Sequence, residues 1–418
     1  MINQIKSLLF TDTGKDTVIV FAGTTISAII GGIFFVIAPR ILGPGDYGLF
    51  AVVVSTGLMV TSLANFGMDT GILRFVRVGE NETNQKILKL ALVAYLLIGI
   101  LVGAGGFVFA PLISKILSNF SLTPLLRIAF SGVIFLLLTD FFIAVLQSRR
   151  QFIKSSLVNI ISNVARLIFL GLGAYFFTLD VYLLTVLFFF IPIVSILVGK
   201  LFVPLDFLRA KNSKSELKNF FSFNFWIASA IAISSIPIDN YLLVKFAGPV
   251  ATGIYAAPFK LISIADQLAG NFSRVLAPRF SSFRSHQDAK TYALKTIPIL
   301  SVLFFVIAFG SVIAEPLVNL LLGGKYQESV NIFRILSLGF AFYFTNTTAV
   351  SLVIYYLGKS KEIFLITLII KLSLFLTSIV LIMKFEELGA ATAFLISGIL
   401  STLLFNVYAI WQLTKSNS

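Results

Sequence analysis

Long apolar runs alternate with short polar stretches along the whole chain. Twelve runs can be drawn, at about 17–38, 47–67, 87–110, 124–146, 156–177 and 181–203, and then 221–243, 252–273, 293–314, 329–356, 363–383 and 388–411. Each is about 20 residues or more, long enough to cross a hydrocarbon core as a helix. None shows the apolar–polar alternation of a membrane barrel. Backbone groups in lipid must find partners within their own segment, so each run predicts a transmembrane helix. The first run is followed at once by a second and is expected to be a retained helix, not a cleaved signal. The longest polar stretch between runs, 204–219, falls at the middle of the chain. It divides the chain into two expected lobes of six helices, 1–210 and 211–418.

The two halves repeat at a nearly constant offset. Arg40, Gly43-Pro44 and Gly48-Leu49-Phe50 match Lys245, Gly248-Pro249 and Gly253-Ile254-Tyr255, all 205 residues later. Arg74-Phe75, Pro111-Leu112 and Arg166-Leu167 match Arg279-Phe280, Pro316-Leu317 and Lys371-Leu372 at the same offset. Leu126-Arg127-Ile128 and Gly132 match Phe333-Arg334-Ile335 and Gly339 at an offset of 207. Six helices is an even number, so both halves start on the same side of the membrane. They are parallel repeats, and two such halves suit a transporter that opens alternately to either side. Proline stops a helix and glycine permits a positive φ. Gly43, Pro44, Gly48, Gly248, Pro249 and Gly253 therefore read as matched turns at the outer surface, or as a hinge that brings the halves together.

Composition sharpens this picture. Of 418 residues, 58% are apolar and only 12% are charged. A soluble domain is about 25% charged, so a soluble enzyme is excluded. Cysteine is absent, which removes disulfides, thiolate metal sites and a cysteine nucleophile. The one histidine, His286, sits in a polar stretch with no acidic cluster beside it, so no metal and no cofactor are expected. The net charge of +14 suggests nucleic acid only until the basic residues are placed. With the amino terminus inside, 22 of the 32 basic residues fall on inner segments or inner run ends, 7 on outer ones and 3 deep within runs. Lys and Arg favour the cytoplasmic side, so both termini are expected in the cytoplasm, with inner loops facing an anionic leaflet. No nucleic-acid partner is needed.

Ile41-Leu42-Gly43-Pro44-Gly45-Asp46-Tyr47-Gly48-Leu49-Phe50 resembles the turn after the first helix of polysaccharide-biosynthesis flippases. The run ending in Asn65-Phe66-Gly67-Met68-Asp69, followed by Leu73-Arg74-Phe75, resembles them too. These O-antigen and lipid-linked-oligosaccharide flippases share a superfamily with lipid II flippases and multidrug and toxin extrusion antiporters. The first 80 residues carry the specific signature; length, span count and repeat extend the resemblance over the whole chain. It implies an all-α, V-shaped transporter whose first, second, seventh and eighth helices line a central cavity. It implies a polyprenyl-(pyro)phosphate-linked oligosaccharide as substrate, moved from inner to outer leaflet for surface-polysaccharide assembly or protein glycosylation. Glycan-assembly enzymes and the bilayer would be its partners, in a monomeric cell-membrane protein. Twelve runs depart from the fourteen helices usual in lipid II flippases.

A charge at the centre of a spanning helix costs about 2.5–3.5 kcal/mol on insertion scales, so each one asks for a partner, water or a ligand. Arg166 and Lys371 lie near the middle of the fifth and eleventh runs. They read as cations for a phosphate or glycan head group, or as packing charges, with Asp140 a candidate partner for Arg166. Lys260 and Asp266 lie on the eighth run, about 240° apart around a helix. If that helix lines the cavity, Lys260 is a substrate contact. Asp239 follows Pro237, and an acid beside a proline kink reads as an ion site or gate. Asp266 and Asp69 are further candidates for that role. Arg74 and Arg279 end the second and eighth runs and read as guides for a lipid pyrophosphate, or as ordinary inner anchors. An anionic substrate asks for a basic cavity and a drug-like cation for an acidic one. A cation-coupled exporter of amphipathic molecules is therefore the alternative function. A membrane glycosyltransferase would need a large polar catalytic loop, and the chain has none.

Overall fold

A computed structural model of the chain describes residues 12–76, 82–210, 225–263, 273, 276, 279–280 and 283–415. Of these, it describes the side chains of all but 12–21, 74, 225–228 and 230. Among the described residues the chain is helical throughout, with no strand. The helices are α1 (Asp12–Asn65), α2 (Met68–Phe75), α3 (Glu82–Leu117), α4 (Thr123–Ser148), α5 (Phe152–Phe176), α6 (Val181–Phe190) and α7 (Pro192–Phe202). They continue as α8 (Phe225–Ser234), α9 (Ile238–Phe246), α10 (Gly248–Ile262), α11 (His286–Phe309), α12 (Ala314–Leu321), α13 (Ser329–Thr345), α14 (Thr347–Ser351) and α15 (Ser360–Lys415). Among the described residues, eight helical stretches are long and apolar enough to cross a membrane.

Two of those stretches each cover two of the apolar runs. α1 is broken at Gly43 (φ 71°, ψ 173°), and α15 at Glu386 (φ 48°, ψ −124°). After the second break, a Cβ built on Gly389 would collide with the Leu381 carbonyl, so glycine lets the chain double back closely. α6 and α7 make one span around Ile191. The runs at 221–243 and 252–273 fall on α8, α9 and α10, each short of a full crossing within the described residues. The expected count of twelve therefore rests on segments only partly described.

The chain packs as two compact units, one of residues 1–34 with 53–228 and the other of 35–52 with 229–418. In the first, α4 is the centre, against α2, α3, α5, α6 and α7. It buries Val133, Leu137, Phe141 and Leu146 completely. In the second, α13 plays that part, against α10, α11, α12 and α15. The repeat is visible in the packing. A Cβ on Gly132 of α4 would lie 2.9 Å from the Phe189 carbonyl oxygen, and one on Gly339 of α13 would lie 2.7 Å from the Phe394 ring. Phe189 and Phe394 are themselves 205 residues apart. Both units thus use the same close glycine–phenylalanine seat.

Apolar side chains also cover the outside. Leu101 (71% exposed), Phe305 (69%) and Val312 (71%) belong to a large set that water would not tolerate and lipid does. Between helices, small polar side chains supply the directional contacts. Tyr343 and Ser397 are 2.7 Å apart, Asn346 donates to Ser401 at 2.6 Å, and Thr345 and Thr402 are 3.1 Å apart, all between α13–α14 and α15.

Candidate functional site

The two Gly-Pro turns meet within the second unit. Gly43 and Gly248 both have positive φ, 71° and 88°, which a side chain would strain. Pro44 and Pro249 follow them and open helical turns, where a missing N–H costs nothing. The contact is reciprocal. A Cβ on Gly48 would collide with the Pro249 carbonyl oxygen, and a Cβ on Gly253 would collide with the Pro44 carbonyl oxygen. Two glycines and two carbonyls at matched repeat positions thus pass backbone to backbone. The segment is held by further bonds in the same unit: Arg40 donates to the Leu320 carbonyl, and Tyr326 donates to the Pro39 carbonyl at 3.2 Å. Burial raises the Tyr326 phenol above its ordinary value, and Tyr47 acts in the same direction. That phenol stays protonated and keeps its donor.

The second feature is a helix break. α8 ends at Ser234 and α9 begins at Ile238. Between them Pro237 (φ −84°, ψ 68°) makes an inverse γ-turn, closed by Ile238 N–H donating to the Ile236 carbonyl at 3.0 Å. The same carbonyl accepts from Lys371 Nζ at 3.3 Å. Asp239 is buried in the first turn of α9, where a carboxylate suits the helix N-terminus. It accepts a hydrogen bond from the buried Tyr255 phenol on α10 and interacts electrostatically with Lys371. Asp239, Tyr255 and Lys371 come from three helices, and only Asp239 and Lys371 stand out in the sequence. Tyr255 had a signal there, as the match to Phe50 that carries a hydroxyl.

Arg166 sits in the first unit and is 7% exposed. Its guanidinium carbon lies 4.6 Å from the Phe188 ring centroid and 5.6 Å from that of Phe34. It donates to the Phe188 carbonyl at 3.4 Å and to Asn163 Oδ1 at 3.3 Å, while its Nε–H has no partner. The expected pairing with Asp140 is not made; among the described residues the one ion pair is Lys86–Glu82. Asp140 instead accepts from Asn65 Nδ2 at 3.4 Å, and Asn65 Oδ1 accepts from Tyr95 at 3.3 Å and from the Asp69 N–H at 3.3 Å. The Asp69 carboxylate bonds the Thr70 N–H at 2.7 Å. This cluster is local to the first unit, and reading the sequence did not find it.

The remaining candidates are scattered. Lys260 on α10 is half-buried, its ammonium 4.5 Å from the Phe35 ring centroid within the second unit. Arg279 is exposed, 5.9 Å from the Tyr292 ring centroid. Arg74 falls on α2, but its side chain lies outside the described residues, as does all of Asp266. Among the described residues no cluster of His, Cys, Asp and Glu of a size to hold a metal ion occurs.

The family model for polysaccharide biosynthesis protein matches residues 13–284. The chain belongs to that family. Among proteins of curated function, none matches it by sequence. Solved structures share the fold of this polysaccharide biosynthesis protein. An inward-facing multidrug resistance MATE family transporter of the MOP superfamily superposes with a TM-score of 0.81 at 11% identity, over 96% of this chain and 98% of that one. The lipid II flippase MurJ in an inward closed conformation gives 0.74 at 18%, over 94% and 87%. A MOP superfamily transporter from Pyrococcus furiosus gives 0.66 at 13%, over 98% of each. The chain is thus an all-helical, multi-pass membrane protein with the fold of that superfamily.

Proposed function

We propose that the chain is a flippase for a polyprenyl-(pyro)phosphate-linked oligosaccharide, carried from the inner to the outer leaflet by alternating access. The product would feed surface-polysaccharide assembly or protein glycosylation. The moving bodies are the lobes 1–210 and 211–418, except that residues 35–52, which pack with 229–418, move with the second, in a monomer of the cell membrane with both termini in the cytoplasm. Glycan-assembly enzymes stand on either side of it in the reaction sequence. The family match supports the substrate class, and Arg166 is the observation that carries the reading. A guanidinium buried among aromatic rings and neutral acceptors, with one N–H unpaired, is a charge without a built-in anion. Leaving it so is costly unless a bound anion completes it. A pyrophosphate does this with matched donor geometry. Lys260 gives a second cation on α10, with Arg74 and Arg279 leading the head group in. The matched turns at Gly43-Pro44-Gly48 and Gly248-Pro249-Gly253 close the outer side.

Thermal unfolding of the purified chain in detergent tests this against the exporter alternative. A polyprenyl pyrophosphate is expected to raise the midpoint with concentration, because a ligand that binds only the folded state stabilises it. The shift should shrink in Lys260→Ala and in Arg166→Met. Stabilisation by tetraphenylphosphonium alone, lost in Asp239→Asn, would make the protein an exporter of cations instead.

A further inference from the structure

The repeat places a cation at the same point of each half, and the two points are built differently. Arg166 and Lys371 are equivalent, and so are Phe34 and Asp239, again 205 residues apart. In the first unit the cation meets the ring of Phe34. In the second the same position holds a buried carboxylate. The second aromatic wall is missing too, because the position equivalent to Phe188 is Ala393. What Lys371 meets instead is oxygen. The Ile236 carbonyl accepts from its ammonium at 3.3 Å; the Asp239 carboxylate, held by the Tyr255 phenol, makes no ion pair with it and acts on it only as a nearby charge.

Three kinds of oxygen therefore gather at the α8–α9 break: a main-chain carbonyl at the end of one half-helix, a carboxylate at the start of the next, and a phenol. Carbonyls released by an unwound membrane helix, beside a carboxylate, form a site for a small monovalent cation. The carbonyl end of α8 carries negative dipole charge and favours a cation as well. We propose that Lys371 is the resident cation of this site. Its ammonium occupies the place of an exchangeable alkali ion, tethered by its own side chain, so the second unit takes up no sodium while Lys371 is present. The site becomes a sodium site when the side chain is shortened. Lys371 is then a structural charge of the gate region and not a contact for the substrate phosphate. The inference stands independently of which glycan is carried.

The test uses the full chain in detergent, in sodium chloride or choline chloride at constant ionic strength. The wild-type melting midpoint is expected to be the same in both salts. Lys371→Ala should melt lower in choline and gain about 2 °C or more as sodium is raised, by linkage to the folded state. Lys371→Ala combined with Asp239→Asn should lose that gain. Direct binding of radioactive sodium, absent in the wild type and present in Lys371→Ala, is the second readout. Lys371→Gln replaces the alanine variant if that one does not fold. A wild-type sodium response abolished by Asp239→Asn overturns the proposal, because the site would then take an exchangeable ion with the lysine in place. Folded variants at position 371 that show no sodium response overturn it as well. If neither variant folds, the wild-type comparison alone decides: sodium binding there refutes the tethered cation, and its absence, together with an unchanged midpoint, supports it.

Discussion

Arg166 and Lys371 share a place in the repeat but differ in what removing them should do. Arg166 has no carboxylate partner among the described residues, only rings, a carbonyl and an amide. Replacing a buried charge by a well-packed apolar side chain is often neutral or stabilising. Arg166→Met is therefore expected to melt no lower than the wild type, yet to bind polyprenyl pyrophosphate at least about tenfold more weakly, as lost charge-assisted bonds imply. Titration of binding beside a melting curve separates the two effects. Tyr255 is the opposite case, since its phenol serves the buried Asp239 carboxylate. Tyr255→Phe leaves that carboxylate short of a donor and should cost about 1–3 kcal/mol, read as a lower midpoint with helicity retained by circular dichroism. The residue types at these points were legible in the sequence, because charge inside an apolar run is conspicuous. Their partners were not. Asp140 bonds Asn65 and not Arg166 because helix rotation, which no local pattern reports, decides where each side chain points.

The crossing of the two matched turns is set by glycine and proline, which act through backbone and space. Gly48 and Gly253 each face a carbonyl of the matched turn. A methyl group at either position forces two backbones apart, where no flexible side chain can yield. Gly48→Ala and Gly253→Ala are each expected to lower the melting midpoint and the folded yield, by about 1–3 kcal/mol as overpacking does. Gly105, in the middle of α3 with nothing within 4 Å of its added Cβ, is the control. Gly105→Ala should be neutral or stabilising by up to about 1 kcal/mol through helix propensity. An equal loss in all three variants, compared by fluorescence size-exclusion chromatography after heating, would remove the crossing as the cause. The turns themselves were legible at the level of dipeptides, since Gly-Pro stops a helix wherever it stands. That residues 35–52 pack with 229–418 was not legible, because contiguous sequence gives no hint that a helix changes packing partners at its middle.

The whole molecule is one of apolar helices whose outward faces need lipid. The asymmetry of its basic residues predicts an orientation that can be tested in intact cells, since the chain has no cysteine and any introduced thiol is unique. Ser121→Cys, in an exposed turn between α3 and α4, should react with an impermeant maleimide from outside. Gln287→Cys, exposed at the start of α11, should react only after permeabilisation. The reverse pattern would invert the topology and with it the direction of transport. The sequence by itself determined the class, the all-helical build and the twofold repetition. All three follow from local rules: apolar length, the partners a backbone must find in lipid, and equal offsets between like residues. The tertiary structure alone decided which charge is balanced and which is left open. It also decided which helix carries its turn into the other half's unit, and that the two turns interlock glycine to carbonyl. Those outcomes depend on helix rotation and on distances of a few ångströms between segments about 200 residues apart. Such relations exist only once the chain has packed.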